Sequence, residues 1–384
     1  MVAIGGRPSA PLREVVGLFL KLGIVGFGGP AAHIAMMRDE VVRRRRWVDD
    51  ARFLDLLGMT NLIPGPNSTE MAIHLGYLRA GWPGLVLGGA CFILPAMAIV
   101  LALAWAYVAY GARPEASAML YGIKPVIIAV VVQAAWGLTR TAVKGPLQAA
   151  VGVATVALYV LGAHELMLLL GGGLVTVLAR RPAPGRTAPV VLLTISSAAS
   201  AVGGASAAVS FTTLGLTFLK IGAVLYGSGY VLLAFLRSDF VERLGWLTDR
   251  QLLDAVAIGQ FTPGPVFTTA TFIGYVVAGW TGSVLATVAI FLPSFVFVAL
   301  SHPLVPKIRA SLAAAAFLDG VNVAALGLMV AVTWQLGRAA IVDVPTTLLA
   351  VIAGVALIVF RVNSAWLVAA GGVVGVIVAL AARG

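Results

Sequence analysis

The chain has 384 residues, of which 60% are hydrophobic and only 11% charged, with a net charge of +11. Soluble chains are about 45–50% apolar and about 25% charged, so soluble enzymes, nucleic-acid-binding modules and disordered scaffolds are excluded as descriptions of the whole chain. The apolar residues suffice for roughly ten helical spans of about 20 residues each.

The basic residues sit in short loops between apolar runs, which is the pattern of topology signals and not of a nucleic-acid surface. Long apolar runs favour helices over the alternating strands of about 10 residues found in outer-membrane barrels. The single cysteine, Cys91, lies in an apolar run, so intramolecular disulfides are excluded. Met1–Arg13 is polar and is followed by no small-residue cleavage pattern. The first run is therefore expected to be an uncleaved span.

In chain order, the first run covers 14–36 and is interrupted at Gly26-Phe27-Gly28-Gly29-Pro30. Two short segments follow, 52–63 and 67–79, split by Pro64-Gly65-Pro66. Each is too short to cross a bilayer, which takes about 20 residues. They read as a broken span or a re-entrant hairpin. Segments 84–110, 115–139, 146–161 and 165–179 complete the half, and Arg180–Arg186 forms a basic, proline-rich joint. The apolar stretch 189–208 is rich in Ser and Gly and reads as an extra span or a surface helix.

The second half then repeats the first. Phe19-Leu20-Lys21-Leu22-Gly23 recurs as Phe218-Leu219-Lys220-Ile221-Gly222, an offset of 199. Trp47 meets Trp246 and Pro64-Gly65-Pro66 meets Pro263-Gly264-Pro265 at the same offset. The offset then becomes 198, pairing Ala80-Gly81-Trp82 with Ala278-Gly279-Trp280 and Leu94-Pro95 with Leu292-Pro293. Ordered matches of this kind indicate duplication, with repeats at about 1–187 and 188–384.

Loop charge favours the re-entrant reading. Twelve basic residues (Arg38, Arg43 to Arg46, Arg52, Arg79, Arg140, Lys144, Arg180, Arg181 and Arg186) then share one side, against Arg7, Arg13 and Arg113. The richer side is expected to be cytoplasmic. Five full spans per half, an odd number, imply repeats of opposite orientation unless 189–208 also spans. The expected fold is an all-α polytopic membrane protein of two inverted repeats, with about ten spans plus re-entrant hairpins.

Matching helix breaks in two repeats are the best sequence pointer to a transporter's binding site. Gly28 and Gly29 with Pro30 mark the first break, echoed by Gly227 and Ser228. Pro64, Gly65 and Pro66 mark the second, echoed by Pro263, Gly264 and Pro265. Irregular backbone at membrane depth is tolerated where it lines a cavity or is buried in protein. The segments that follow open with Asn67, Ser68, Thr69 and Glu70, and with Thr268 and Thr269 after two apolar residues. Helix N-termini carrying hydroxyl and amide donors suit an anion. A plain proline kink with an ordinary N-cap is the bland alternative.

Lys21 and Lys220 interrupt apolar runs, where a cation is costly and reads as functional unless it snorkels to the interface. Lys124 is a third candidate, although its counterpart is Asn322. Asn61 and Gln260 precede the two Pro-Gly-Pro breaks and can hydrogen-bond substrate or simply pack helices. Glu70, which lacks an acidic counterpart, shares a helix face with His74 and can carry a coupling proton, as can His33. His164-Glu165 reads as a solvated turn. Arg38 and Asp55, with Arg237 and Asp254, are expected to staple the re-entrant loops to the interface. There is no His-Glu-x-x-His, no phosphate-binding Gly-x-x-x-x-Gly-Lys and no metal-ligand cluster, so no enzyme, cofactor or metal is expected.

The stretch Phe27-Gly28-Gly29-Pro30-Ala31-Ala32-His33-Ile34, with Arg44-Arg45-Arg46-Trp47, Asn61-Leu62-Ile63-Pro64-Gly65-Pro66-Asn67 and Arg79-Ala80-Gly81-Trp82, resembles the chromate ion transporter family in its long, two-domain form. The second half carries the weaker echoes Tyr226-Gly227-Ser228-Gly229 and Gln260-Phe261-Thr262-Pro263-Gly264-Pro265. The resemblance covers nearly the whole chain. It implies export of chromate across the inner membrane and resistance to it, with halves of opposite orientation. Glu70 departs from the Gln that follows this motif in many members, and an acid repels an anion unless protonated. Sulfate, also tetrahedral and doubly charged, is the natural competitor. The expected partners are the oxyanion and the bilayer, with room for a homodimer and none for nucleic acid. The alternatives are a general sulfate or oxyanion carrier and a passive anion channel.

Overall fold

The computed structural model describes residues 9–111, 113–179, 209–226, 231–309 and 311–381. Among these there is no strand. Helices α1 (Ser9–Val25), α2 (Gly29–Arg38), α3 (Asp50–Thr60), α4 (Asn67–Tyr110), α5 (Pro114–Ala142), α6 (Pro146–Val160) and α7 (Glu165–Ala179) form the first repeat. The second comprises α8 (Phe211–Val224), α9 (Leu232–Leu236), α10 (Asp249–Phe261), α11 (Thr269–Arg309), α12 (Leu312–Ala340), α13 (Val344–Ile358) and α14 (Ser364–Ala381). A π-helical turn follows α2 at Asp39–Arg44 and another follows α9 at Arg237–Arg243. The expected joint at 180–186, the stretch 189–208, and Gly227 and Ser228 lie outside the described residues.

Five helical stretches are long and apolar enough to cross a membrane: α4, α5, Val266–Ser301, α12 and α14. Four shorter apolar helices, α6, α7, α8 and α13, accompany them. Both of the longest stretches double back. In α4 the helix breaks at Ala80 and Gly81 (φ +63°), and in α11 at Ala278 and Gly279 (φ +65°). Gly76 then packs on Gly84, and Gly274 on Gly282, so closely that neither pair leaves room for a Cβ. Only glycine permits both the left-handed turn and that approach. Trp82 and Trp280, exposed just past each turn, suit the membrane–water interface. The segments ending at these turns are thus re-entrant, and the full spans begin after them.

The first run differs from its expected form as one interrupted span. Its two parts run antiparallel. His33 folds back on Gly26, Lys21 pairs with Glu40, and Glu14 pairs with Arg79. The start of α1 therefore lies on the same face as Arg79, and Arg13 belongs with the basic side and not opposite it. Gly28 (φ +105°) and Gly29 (φ +74°) make the reversal, and Pro30 opens α2. Hydropathy cannot separate a kink from a reversal, because both interrupt one apolar run.

Without that span, counting no longer establishes the relation of the repeats. The equivalent helices α5 and α12 establish it directly. Tyr121 reaches Asp343 just beyond α12, Gly337 sits against Ile128, and Lys144 beyond α5 reaches Asp319 near the start of α12. Residue numbers rise in one helix as they fall in the other. Equivalent helices that cross antiparallel are related by an axis perpendicular to both, so the repeats are inverted. The repeats also exchange packing. Helix α5 lies against α13 and α14, and α12 against α6 and α7, with Gly122 on Gly371 and Gly172 on Gly320 as close contacts.

Candidate functional site

The two Pro-Gly-Pro breaks meet the helix breaks of the opposite repeat. Gly65 N–H donates to the Leu225 carbonyl, and Gly264 N–H donates to the Gly26 carbonyl, each at 2.8 Å. Leu225 and Gly26 are themselves equivalent positions. The exchange continues in the side chains. A Cβ at Gly264 would come within 2.6 Å of the Ala96 methyl, and one at Gly65 within 2.6 Å of Ser294 Oγ. Ala96 and Ser294 each follow the proline of the repeated Leu-Pro pair. Gly65 (φ +136°) and Gly264 (φ +90°) hold left-handed backbone that lets the turns approach this closely.

Four interrupted helices therefore converge in the protein interior. Pro66 ends the first turn and α4 starts at Asn67, with Thr69 and Glu70 N–H both directed to the Pro66 carbonyl. A helix start leaves its first N–H groups without intrahelical partners. Pro265 plays the same part before the short 3₁₀ turn Val266–Thr268 that leads into α11. Ser68 and Thr69 are buried, and Thr69 Oγ1 makes no hydrogen bond among the described residues. The hydroxyls of Thr268 and Thr269 instead donate to the carbonyls of Pro265 and Val266, both at 2.8 Å. Asn67 donates to Asn61 Oδ1 at 2.6 Å, closing the first turn across its proline pair. Gln260, at the position of Asn61, is buried, and its Nε2 has no partner among the described residues.

Glu70 breaks the pseudo-symmetry. Its carboxyl is fully buried and lies against Gly65, and a Cβ there would collide with Oε1. Neither carboxylate oxygen, nor Ser294 Oγ beside them, makes a well-formed hydrogen bond among the described residues. Tyr226 of the second break lies within electrostatic reach. His74 is buried one turn further along α4. His33 is also buried. Its Nε2 donates to the Gly26 carbonyl at 2.8 Å, the same carbonyl that Gly264 uses, and its ring meets Phe92 edge-on.

The lysines go to carboxylates on the π-helical turns. Lys21 donates to Glu40 at 2.7 Å, and Lys220 reaches Asp239 at 2.6 Å. Glu40 and Asp239 are equivalent at the offset of 199 that pairs the lysines, so this signal was present in the sequence. The hydrogen bond from Lys21 holds the Glu40 carboxyl below the usual carboxylate range, against a smaller upward push from burial. Lys124 joins the repeats, 3.0 Å from Asp254 Oδ1, while Tyr107 donates to Asp254 Oδ2 at 2.9 Å. Asp254 is thus a buried link between repeats and not an interfacial staple. The staples are Arg38 to Asp50 at 2.7 Å and Arg237 to Asp249 at 2.9 Å, at equivalent positions. Glu165 is also corrected. It is buried, accepts from Ser238 at 2.8 Å and lies 4.0 Å from Lys220, while His164 beside it is exposed. Ser294, Glu40 and Asp239 belong to none of the motifs, while Tyr226 stands in the second-break echo and Glu165 in the expected solvated turn.

The family model described as "Chromate transporter" matches this chain twice, at residues 13–177 and 212–376. The chain belongs to the chromate transporter family. A chromate transport protein of Cupriavidus metallidurans is 35% identical over 369 residues, covering 95% of this chain and 92% of that protein. A probable chromate transport protein of Synechococcus elongatus is 34% identical over 90% of each chain. A chromate transport protein of Pseudomonas aeruginosa is 32% identical over 88% of this chain and 84% of its own. No solved structure matches. The two matched stretches coincide with the two repeats of this family member, each containing one full set of breaks.

Proposed function

We propose that this chromate transporter family member is a secondary active exporter that carries chromate out across the inner membrane and so confers resistance to it. The observation that carries the reading is the reciprocal exchange of Gly65 and Gly264 between repeats, which sets the helix start of each repeat against the helix break of the other. A positive helix end beside each of the two exchanged breaks suits a tetrahedral dianion. The substrate sits between Gly28, Gly29, Pro64, Gly65, Pro66 and the Asn67–Ser68–Thr69 start on one side. Pro263, Gly264, Pro265, Thr268 and Thr269 face it from the other, and Gly227 and Ser228, the sequence counterparts of the Gly28–Gly29 break, are proposed substrate contacts on the sequence alone. Asn61 and Gln260 flank the two turns. The names of the relatives support chromate as cargo.

Glu70 carries the coupling proton in this scheme, with His74 and His33 as its relay. A neutral Glu70 admits the anion, and an ionised one repels it, so proton and oxyanion movements are linked. Lys21, Lys220 and Lys124 act through Glu40, Asp239 and Asp254. They set the angle of the broken hairpins and offset the charge of the cargo at longer range. Rocking of one inverted repeat against the other exposes the centre to each side in turn.

The test is labelled chromate flux in proteoliposomes, with and without a pH gradient and with excess sulfate. Concentrative, gradient-driven flux that sulfate barely inhibits is expected. Flux abolished by modest sulfate would mean a general oxyanion carrier, and dissipative flux at channel rates a passive pore. Glu70→Gln is expected to flatten the pH dependence of flux while leaving membrane insertion intact. An unchanged pH profile would remove Glu70 from coupling.

A further inference from the structure

A second basic feature shares no residue with the central breaks. Glu14, Arg45, Arg46, Trp47 and Arg79 line a cavity of about 370 Å³ at the face where α1 begins and the re-entrant half of α4 ends. The Arg45 and Arg79 guanidinium groups lie 5.7 and 5.5 Å from the centroid of the Trp47 ring. Stacking of this kind orients a guanidinium fork without consuming its donors. Arg79 also chelates Glu14 through two nitrogens at 2.8 and 3.1 Å. Arg46 makes no ion pair among the described residues.

The equivalent place in the second repeat is stripped of charge. Trp246 is retained, but Arg45, Arg46, Arg79 and Glu14 correspond to Leu244, Gly245, Val277 and Thr213. The lining thus carries three positive charges and one negative in the first repeat and none in the second. The backbone adds an independent sign. Arg46 holds φ at +51°, and Gly245 holds +63° at the same point of the turn. The turn calls for glycine, yet the first repeat keeps an arginine there. Strain retained against an available alternative marks a functional position.

We propose that this arginine cradle binds a phosphate-type tetrahedral anion, and that it is a site separate from the central exchange. Arg45 is held by Glu40 through Nε at 3.2 Å and Arg79 by Glu14. The concave, tryptophan-floored opening thus offers the free fork of Arg46 and the remaining N–H groups of the other two, which suit such a group in charge and donor geometry. Two sources present that chemistry at a membrane face: the phosphodiester of an anionic lipid headgroup and a free oxyanion from the water. The inference holds whether or not the chain exports chromate.

The experiment follows the thermal unfolding midpoint of the full-length protein in neutral detergent at constant ionic strength. One arm titrates dioctanoyl phosphatidylglycerol and the other sodium sulfate. Arg46→Gly installs the second repeat's residue and relieves the strained turn. It is expected to raise the half-saturating concentration roughly tenfold, the loss of one charge-assisted contact. Glu14→Gln releases Arg79 and is expected to lower it. These opposite shifts in the lipid arm assign the site to a headgroup, and in the sulfate arm to a free oxyanion. If Arg46→Gly fails to fold, Glu14→Gln alone decides. Absence of stabilisation in the wild type, or variant titrations that superimpose on it in both arms, overturns the site. Sulfate stabilisation that survives both substitutions belongs to the centre.

Discussion

The lysine clusters of the two repeats begin from the same five-residue pattern and end in different surroundings. Lys21 meets Glu40 with its side chain about half exposed (51%), and Arg44 and Arg45 share that one carboxylate. Lys220 meets an Asp239 that is 1% exposed, within reach of Arg243 and of Glu165 from the opposite repeat. The first cluster is open and rich in positive charge, and the second is closed and balanced. Duplication supplied equal parts, and the packing of α7 against the second repeat made them unequal. An exporter of the proposed kind needs two unequal ends, because alternating access presents one side while sealing the other.

That contrast sets expectations of decreasing size. Gly65→Ala and Gly264→Ala force a Cβ into Glu70 and Ala96 respectively, at left-handed positions. Each is expected to cost on the order of 3 kcal/mol and to abolish flux, read from folded yield and proteoliposome transport. Wild-type flux in both would separate the exchange from function. Asp239→Asn is expected to cost about 2–3 kcal/mol, because it strands Lys220 beside a single buried carboxylate. Glu40→Gln is expected to cost less than about 1 kcal/mol, its partner being half solvated. Denaturant unfolding of the pair checks the order, and equal losses would erase the difference between the clusters. An effect of the same small order as that of Glu40→Gln belongs to Gly81→Ala. The turn is left-handed but nothing lies within 4 Å of an added Cβ, so about 1 kcal/mol is expected from backbone strain alone.

Much of the site was legible because its markers are chemical exceptions in an apolar background. Prolines flanking glycine, a lysine in an apolar run and an acid without a counterpart stand out against Leu, Val and Ala. Glu40 and Asp239 were equally visible by their shared offset. Each nevertheless sits in a loop among arginines, where an acid is no chemical exception. Ser294 carries no signal, since a serine in a helix is unremarkable until its neighbour is known, and Tyr226 is visible only as the counterpart of Phe27 in the second break. The reversal of α1 on α2 was hidden for a related reason: an interrupted apolar run has the same hydropathy whether the chain continues or turns back.

The sequence by itself determined that this protein lives in a membrane, that it is a duplication, and where its helices must break. Those follow from composition, self-similarity and the stereochemistry of proline and glycine, all of which act on local chain. Only the tertiary structure decided that each Pro-Gly-Pro turn completes the opposite repeat, that Asp254 belongs to Lys124, and that Glu165 covers Lys220. Such pairings join positions scores of residues apart by single hydrogen bonds or ion pairs. No local preference encodes them. They arise because buried polar groups in a water-free interior must find partners wherever the packing of helices brings them.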